Sequence, residues 1–271
     1  MIQVSHLDFH YKGNSRSIFN DFSLTFEENK VYGLLGKNGT GKSTLLYLLS
    51  GLLFATNGEV RVDGYDVKKR LPQMLEEIFI VPEEYDFPNV SLKQYVKINS
   101  CFYPRFSEAT LHRCLQEFDL PTDLKLSQLS MGQKKKVYMS FALAAGTKYL
   151  FMDEPTNGLD IPAKAQFRQV IANNMEENRT IIISTHQVKD VEALLDHVVM
   201  LEGTNLLLDL SMEDIMRRYT FEMRQPTEMD ETVLYAEPSL MGNAVMARNV
   251  HGKETPVNLE LLFTAATQGR L

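Results

Sequence analysis

Cysteine is scarce: Cys101 and Cys114 are the only two in 271 residues. Two are too few for a disulfide framework, and they lie too far apart in sequence for a metal knuckle. They are expected to be buried or half-buried free thiols in a reducing compartment. Long apolar runs are missing as well. No window approaches the roughly 18–20 apolar residues of a membrane-spanning helix. The longest stretches, such as Ile181 to Ile183 and Val198 to Leu201, have the length of strands. The N-terminal segment MIQVSHLDFHYKG has no basic region leading into an apolar run, so no signal peptide is expected. Positive charge is not in excess, since 28 Lys and Arg face 35 Asp and Glu, a formal net charge of −7. Binding a phosphate backbone needs a large basic surface, so nucleic acid is not expected as a partner. A soluble, cytoplasmic chain is the expectation.

What is present suits one α/β domain with a small appendage. Apolar residues make up 44% and charged residues 23% of the chain, ordinary values for a folded protein. Residues 2–11 and 22–26 alternate like strands near a sheet edge, and Lys30 to Leu35 reads as a buried strand. An apolar helical run follows from Lys42 to Leu53. GEVRVDGYDV reads as a hairpin with Asp63-Gly64 at its turn, and Ile78 to Val81 as a short buried strand ended by Pro82. From about Ser91 to Leu126 the pattern is helical and rich in aromatics, broken by Pro104 and Pro121. Helices are then expected over Gly132 to Ala145, Pro162 to about Glu177 and Val188 to about Leu195. Strands at Tyr149 to Met152 and Thr180 to Ser184 alternate with them. Such alternation predicts a mainly parallel sheet covered on both faces. Beyond residue 205 the character changes: Ser211 opens a short helix with Asp214 three residues on, and 220–271 reads as short strands and loops.

The segment Gly36-Lys37-Asn38-Gly39-Thr40-Gly41-Lys42-Ser43 fits G-x-x-x-x-G-K-[ST], and KVYGLL before it with STLLYLL after it supplies the strand–loop–helix setting this P-loop requires. Gly36, Gly39 and Gly41 let backbone N–H groups, with those of Asn38 and Thr44, converge on phosphates at the positive end of a helix. Lys42 pairs with the β- and γ-phosphates in such a cradle, and the Ser43 hydroxyl ligates Mg²⁺. The motif alone does not separate an ATPase from a GTPase or a kinase. Tyr149 to Glu154 is an apolar strand ending in two carboxylates. Asp153 suits Mg²⁺, and Glu154 suits a general base acting on the attacking water. Neighbouring strand residues point to opposite faces, so this division of labour needs a turn after Asp153, which Pro155 can provide. A solvated pair at a strand end is the bland alternative.

Between the two motifs lies Leu129-Ser130-Met131-Gly132-Gln133, opening a helix. It resembles the LSGGQ signature of the ABC ATPases. Tyr11 resembles that family's aromatic A-loop, Asn157-Gly158-Leu159-Asp160 its D-loop, and Ser184-Thr185-His186 its switch-histidine loop. The resemblance covers about residues 1–205. It implies the family's α/β fold: a P-loop NTPase core with a mainly parallel sheet, an antiparallel β subdomain, and an α-helical signature lobe inserted at about 88–145. Residues 206–271 are left as a C-terminal appendage of unknown role. It further implies ATP and Mg²⁺ as ligands and a head-to-tail dimer of the chain. In that dimer Ser130, Gly132 and Gln133 of one copy face the γ-phosphate held by the other, while Asp160 acts across the interface. His186 would contact the γ-phosphate and the water, and Tyr11 would stack on adenine. A separate transmembrane permease is the implied partner, putting the chain peripherally on the inner face of the membrane.

Two positions depart from the family pattern. Met131 stands where Gly is usual. Glu83, after Ile80-Val81-Pro82, stands where a metal-contacting Gln is usual, so Glu83 is read as a metal ligand. The run Lys134-Lys135-Lys136 is expected as a solvated helix face, and Tyr95, Phe102, Tyr103 and Phe106 as core. The tail Val257 to Phe263 is similar to the C-terminal ends of exporter-type subunits, which favours export. A soluble ABC ATPase without a transport role is the alternative.

Overall fold

A computed structural model describes residues 1–13 and 17–271. In chain order it forms strands β1 (Ile2–Phe9), β2 (Phe19–Phe26) and β3 (Val31–Gly36), helix α1 (Lys42–Leu49), strands β4 (Asn57–Val62) and β5 (Tyr65–Asp66), helix α2 (Pro72–Leu75) and strand β6 (Ile78–Val81). Three helices follow, α3 (Leu92–Asn99), α4 (Glu108–Glu117) and α5 (Met131–Ala144). Then come β7 (Tyr149–Asp153), α6 (Ile161–Asn173), β8 (Thr180–Thr185), β9 (His197–Glu202) and β10 (Asn205–Ser211). The chain ends with α7 (Met212–Arg218), β11 (Tyr219–Arg224), β12 (Val233–Ser239), β13 (Gly242–Arg248) and α8 (Leu259–Thr267).

The main sheet has the order β10-β9-β3-β8-β7-β6, parallel except for the edge strand β10. Every residue of β3, β7 and β8 is buried, as a parallel sheet covered on both faces requires. Alternate residues serve opposite layers. Leu150 and Met152 of β7 join a core that also holds Phe141 of α5 and Phe167 of α6. Tyr149 and Phe151 join the opposite core, shared with α1 and the antiparallel sheet β2-β1-β4-β5. The β4–β5 turn is Asp63-Gly64, both with positive φ, as a tight hairpin needs. Among the described residues, six α-helices start at a Ser, Asp or Asn whose side chain accepts a backbone N–H: Ser91, Ser107, Ser130, Asp160, Ser211 and Asn258.

Several boundaries differ from those expected. Helix α1 stops at Leu49, not Leu53, because Gly51 turns left-handed (φ 70°) and ends it. Helix α6 stops at Asn173, and two 3₁₀ turns (Val188–Asp190 and Glu192–Leu194) replace the helix expected to reach Leu195. Residue 205 falls just after the β9–β10 turn, and the main sheet continues through Ser211. The appended residues form a three-stranded antiparallel sheet, β11-β13-β12, and the tail expected as strand and loop contains α8. The buried residues Leu259, Leu262, Ala265 and Ala266 of α8 belong to the same core as Val188 and Val191. Cys114 is buried, whereas Cys101 is exposed and not half-buried as expected. Tyr95, Tyr103 and Phe106 pack around Phe141, but Phe102 is 66% exposed. Among the described residues, no helix is long and apolar enough to cross a membrane.

Candidate active site

The parallel strands deliver their C-terminal ends to one edge of the sheet, where β3, β7 and β8 each run into a functional loop. Gly36 closes β3 so tightly that a Cβ there would lie 2.9 Å from the Leu201 carbonyl oxygen. Gly41, at φ 95°, caps α1 without a side chain, leaving the first N–H groups of the helix facing the loop. Lys42 is 5% exposed. Its Nζ donates to the carbonyls of Gly36 (2.8 Å) and Lys37 (3.3 Å) and lies 3.6 Å from Glu154 Oε1. Burial pushes the Lys42 ammonium below its usual range, against the pull of the Glu154, Asp153 and Glu83 charges.

Asp153 ends β7, and the chain turns at once. Glu154 adopts φ +44°, a left-handed backbone uncommon for a side-chain-bearing residue. The two carboxylates consequently have different surroundings. Asp153 accepts a hydrogen bond from Ser184 Oγ, and the Ser43 hydroxyl nearby also favours its ionised form. Burial, with the Glu154 and Glu83 charges, still raises its carboxyl above the ordinary range. Glu154 turns toward the loop after β8. Its Oε1 is 2.8 Å from His186 Nδ1, and its Oε2 accepts from Thr185 Oγ1 (3.1 Å) and the His186 N–H (3.4 Å). Glu83 is held by the Asn157 amide, Nδ2 to Oε1 at 2.7 Å.

A cavity of about 330 Å³ has Gly39, Lys42, Ser43, Glu83, Glu154 and His186 in its wall, with Tyr11, Asn38, Gly41 and Thr44 also lining it. The Tyr11 hydroxyl lies 2.9 Å from Thr44 Oγ1, which holds this partly exposed ring beside the first turn of α1. Gly36 lines an adjoining cavity of about 310 Å³ with Lys37, Asn38, His186, Val188 and Phe263. The signature residues are not in either wall. Ser130 and Gln133 form a reciprocal capping box at the start of α5, Met131 is 70% exposed, and Asp160 caps α6 by accepting the Ala163 N–H. The structure thus brings the P-loop, Glu83, Glu154 and His186 together and leaves Ser130, Gly132, Gln133 and Asp160 elsewhere in the same copy.

The lysine run is not a solvated face. Lys134 pairs with Asp86 (3.0 Å) and Lys136 donates to Gln166 Oε1 (2.7 Å). Lys135 is buried, because the helix turns it inward onto the carbonyls of the Glu154 turn. Sequence reasoning also passed over Asn157, Thr185 and Phe263. The first two lie inside motifs already singled out, and Phe263 ends the tail segment 257–263, at the i+4 position from the buried Leu259.

A strand–P-loop–helix unit joined to a buried Asp-Glu pair, at the ends of two parallel strands that flank β8 in one sheet, defines a P-loop nucleoside triphosphatase. A model of the ABC transporter family matches residues 19–157. The chain is 30% identical over 292 aligned positions to the ABC transporter ATP-binding protein YtrB of Bacillus subtilis, covering 100% of this chain and 99% of that protein. It is 30% identical over 211 positions to the lantibiotic transport ATP-binding protein SrtF of Streptococcus pyogenes, covering 77% of this chain and 90% of the relative. The dimeric structure of MJ0796, a bacterial ABC transporter cassette, superposes with a TM-score of 0.69 at 22% identity, covering 78% of this chain and 99% of that one. This chain belongs to the ABC transporter family, as one of its ATPases.

Proposed function

We propose that the chain binds Mg-ATP at the P-loop and hydrolyses it through Glu154 and His186, powering export through a separate membrane permease. The observation that carries the chemistry is the Glu154–His186 pair at 2.8 Å in a cavity wall shared with Lys42 and Ser43.

The donor set suits Mg²⁺, which favours hard oxygen ligands, takes few protein carboxylates and retains waters and phosphate oxygens. Asp153 is a buried carboxylate near Ser43, with Glu83 and Glu154 adding negative charge near it. Asp153, the Ser43 hydroxyl and Glu83 would hold the ion, which supplies charge neutralisation to the phosphates when bound. The free N–H groups of the P-loop and the Lys42 ammonium receive the β- and γ-phosphate oxygens. The Tyr11 ring offers its face to adenine.

Glu154 accepts a proton from water as the water oxygen bonds to the γ-phosphorus. The bond from that phosphorus to the bridging oxygen breaks, leaving ADP, and the proton passes on to the phosphate product. His186 Nδ1 and the Thr185 hydroxyl fix the carboxylate that does this. Among the described residues, Ser130, Gly132, Gln133 and Asp160 are not in the wall of the cavity that Lys42 lines. A head-to-tail pair gives them a role, with the N-terminus of α5 from one copy closing over the phosphates of the other and two sites arising by symmetry. The names and coverage of the relatives favour a transport role, and the tail over 257–263 is our reason for export. The chain then works at the cytoplasmic membrane face.

The test is capture of the Glu154→Gln protein with Mg-ATP from detergent-solubilised native membranes. A polytopic membrane protein at fixed ratio is expected. Recovery of soluble partners only would refute the transport role and leave the hydrolytic chemistry standing.

A further inference from the structure

Lys135 lies on α5, downstream of the signature, and is 7% exposed. Its Nζ donates to the Asn157 carbonyl at 2.6 Å and to the Glu154 carbonyl at 3.3 Å. These carbonyls mark the two ends of one turn, which the Asn157 N–H closes by donating to the Glu154 carbonyl at 3.1 Å. The turn contains the left-handed Glu154 backbone, a strained conformation for a residue with a side chain, which persists only where its surroundings over-determine it. At the far end of the turn the Asn157 side chain holds Glu83. One ammonium therefore bridges the signature helix, the turn bearing Glu154 and, through Asn157, the Glu83 loop.

A buried lysine needs compensation. Burial pushes Lys135 below its usual range, while the Glu83, Glu154, Asp153 and Glu84 charges favour its protonated form. The ammonium sits against backbone carbonyls rather than a carboxylate, so it holds chain conformation instead of forming a simple ion pair.

We propose that Lys135 is a positioning residue for catalysis: it locks the Glu154–Asn157 turn onto α5 and so aims the Glu154 carboxylate. The proposal rests on the reading of Glu154 as the base. It gives the signature helix a second task, inside its own copy, besides the one across the dimer interface.

The experiment compares wild type, Lys135→Met, Lys135→Arg, Glu154→Gln and the Lys135→Met/Glu154→Gln double variant. It measures steady-state and single-turnover ATP hydrolysis, binding of a fluorescent ATP analogue, and thermal unfolding. Lys135→Met is expected to lower kcat at least tenfold, about 1.4 kcal/mol of barrier, with nucleotide affinity changed less than twofold. Lys135→Arg, which keeps a charged donor, should recover part of the loss. The double variant should be no slower than Glu154→Gln alone, because Lys135 acts through Glu154. Should Lys135→Met fail to fold, Lys135→Gln carries the same expectation.

Wild-type kcat in Lys135→Met would overturn the proposal. So would a parallel loss of kcat and nucleotide affinity, the mark of a merely structural lysine, or a double variant slowed by the full product of the two single effects. If Glu154→Gln itself keeps wild-type turnover, the base assignment is what fails. The two failures are therefore told apart by the single variants.

Discussion

Replacing Arg179 by Met should destabilise the protein without touching its chemistry. Arg179 is 1% exposed and has the largest of the fully buried side chains. Its guanidinium donates to the carbonyls of Thr147 (3.1 Å), Leu143 (3.1 Å) and Asn174 (3.3 Å). Leu143 belongs to the last turn of α5 and Asn174 caps the end of α6, so Arg179 satisfies carbonyls that helix ends leave without partners. Methionine keeps much of the apolar stem and removes every donor. The Leu143 carbonyl retains the Gly146 N–H, which leaves two carbonyls at about 1–3 kcal/mol each. Relief from burying the guanidinium offsets part of this, for a net loss of about 2–4 kcal/mol, large against a total stability of roughly 5–15. Urea unfolding should show a lower midpoint at unchanged slope, and Tm should fall by roughly 5–10 °C. Arg179 precedes β8 at the end of the sheet opposite Asp153 and His186. Hydrolysis per folded molecule should therefore stay at the wild-type rate. A loss below about 0.5 kcal/mol would refute the reasoning, as would a folded variant with reduced kcat.

Two further predictions concern groups away from the site. Cys114 is fully buried and burial pushes its thiol up to about 12, whereas Cys101 is exposed. A maleimide should therefore add once to the native protein and twice after unfolding, and two native adducts would contradict the packing of α4. Burial pushes the Asp63 carboxyl up, but hydrogen bonds from the N-terminal amine, Tyr149 and Lys148 outweigh it and bring it to about 2. A folded-state value below the unfolded one stabilises above the ordinary 3.8 and is lost as pH falls toward 2. Asp63→Asn, which tolerates the same left-handed turn, should cost about 1 kcal/mol at neutral pH after solvent screening is allowed for. The deficit should disappear near pH 2, and a deficit independent of pH would contradict the charge argument.

Much of the fold was legible because its elements carry local signals. The buried strands β3, β7 and β8 are apolar runs, the P-loop has a fixed glycine spacing, and Asp63-Gly64 marks its own turn. The site was legible where one motif supplies one loop: Lys42, Glu154 and His186 each follow a strand of the same sheet, so their convergence follows from parallel topology. Lys135 was misread because a run of three lysines looks like a solvated face, and helix rotation relative to the core, set by packing of Val137 and Phe141, turned the middle one inward. Helix α8 was passed over despite Asn258 as a cap and Leu259, Leu262 and Ala266 at helical spacing. Its partners Val188 and Val191 lie far away in sequence, and only the folded chain brings them together. Arg179 gave no signal, since its role depends on the ends of two helices that composition does not reveal.

The central claim is that Glu154 is the base acting on nucleotide held by Lys42 and Ser43. Its most direct test is ATP binding and hydrolysis by Glu154→Gln, which keeps the size of the side chain and removes its basicity. The account predicts ATP affinity close to wild type with kcat reduced at least a hundredfold, in the range general-base catalysis contributes. A Glu154→Gln protein that binds ATP and turns it over at the wild-type rate would contradict it.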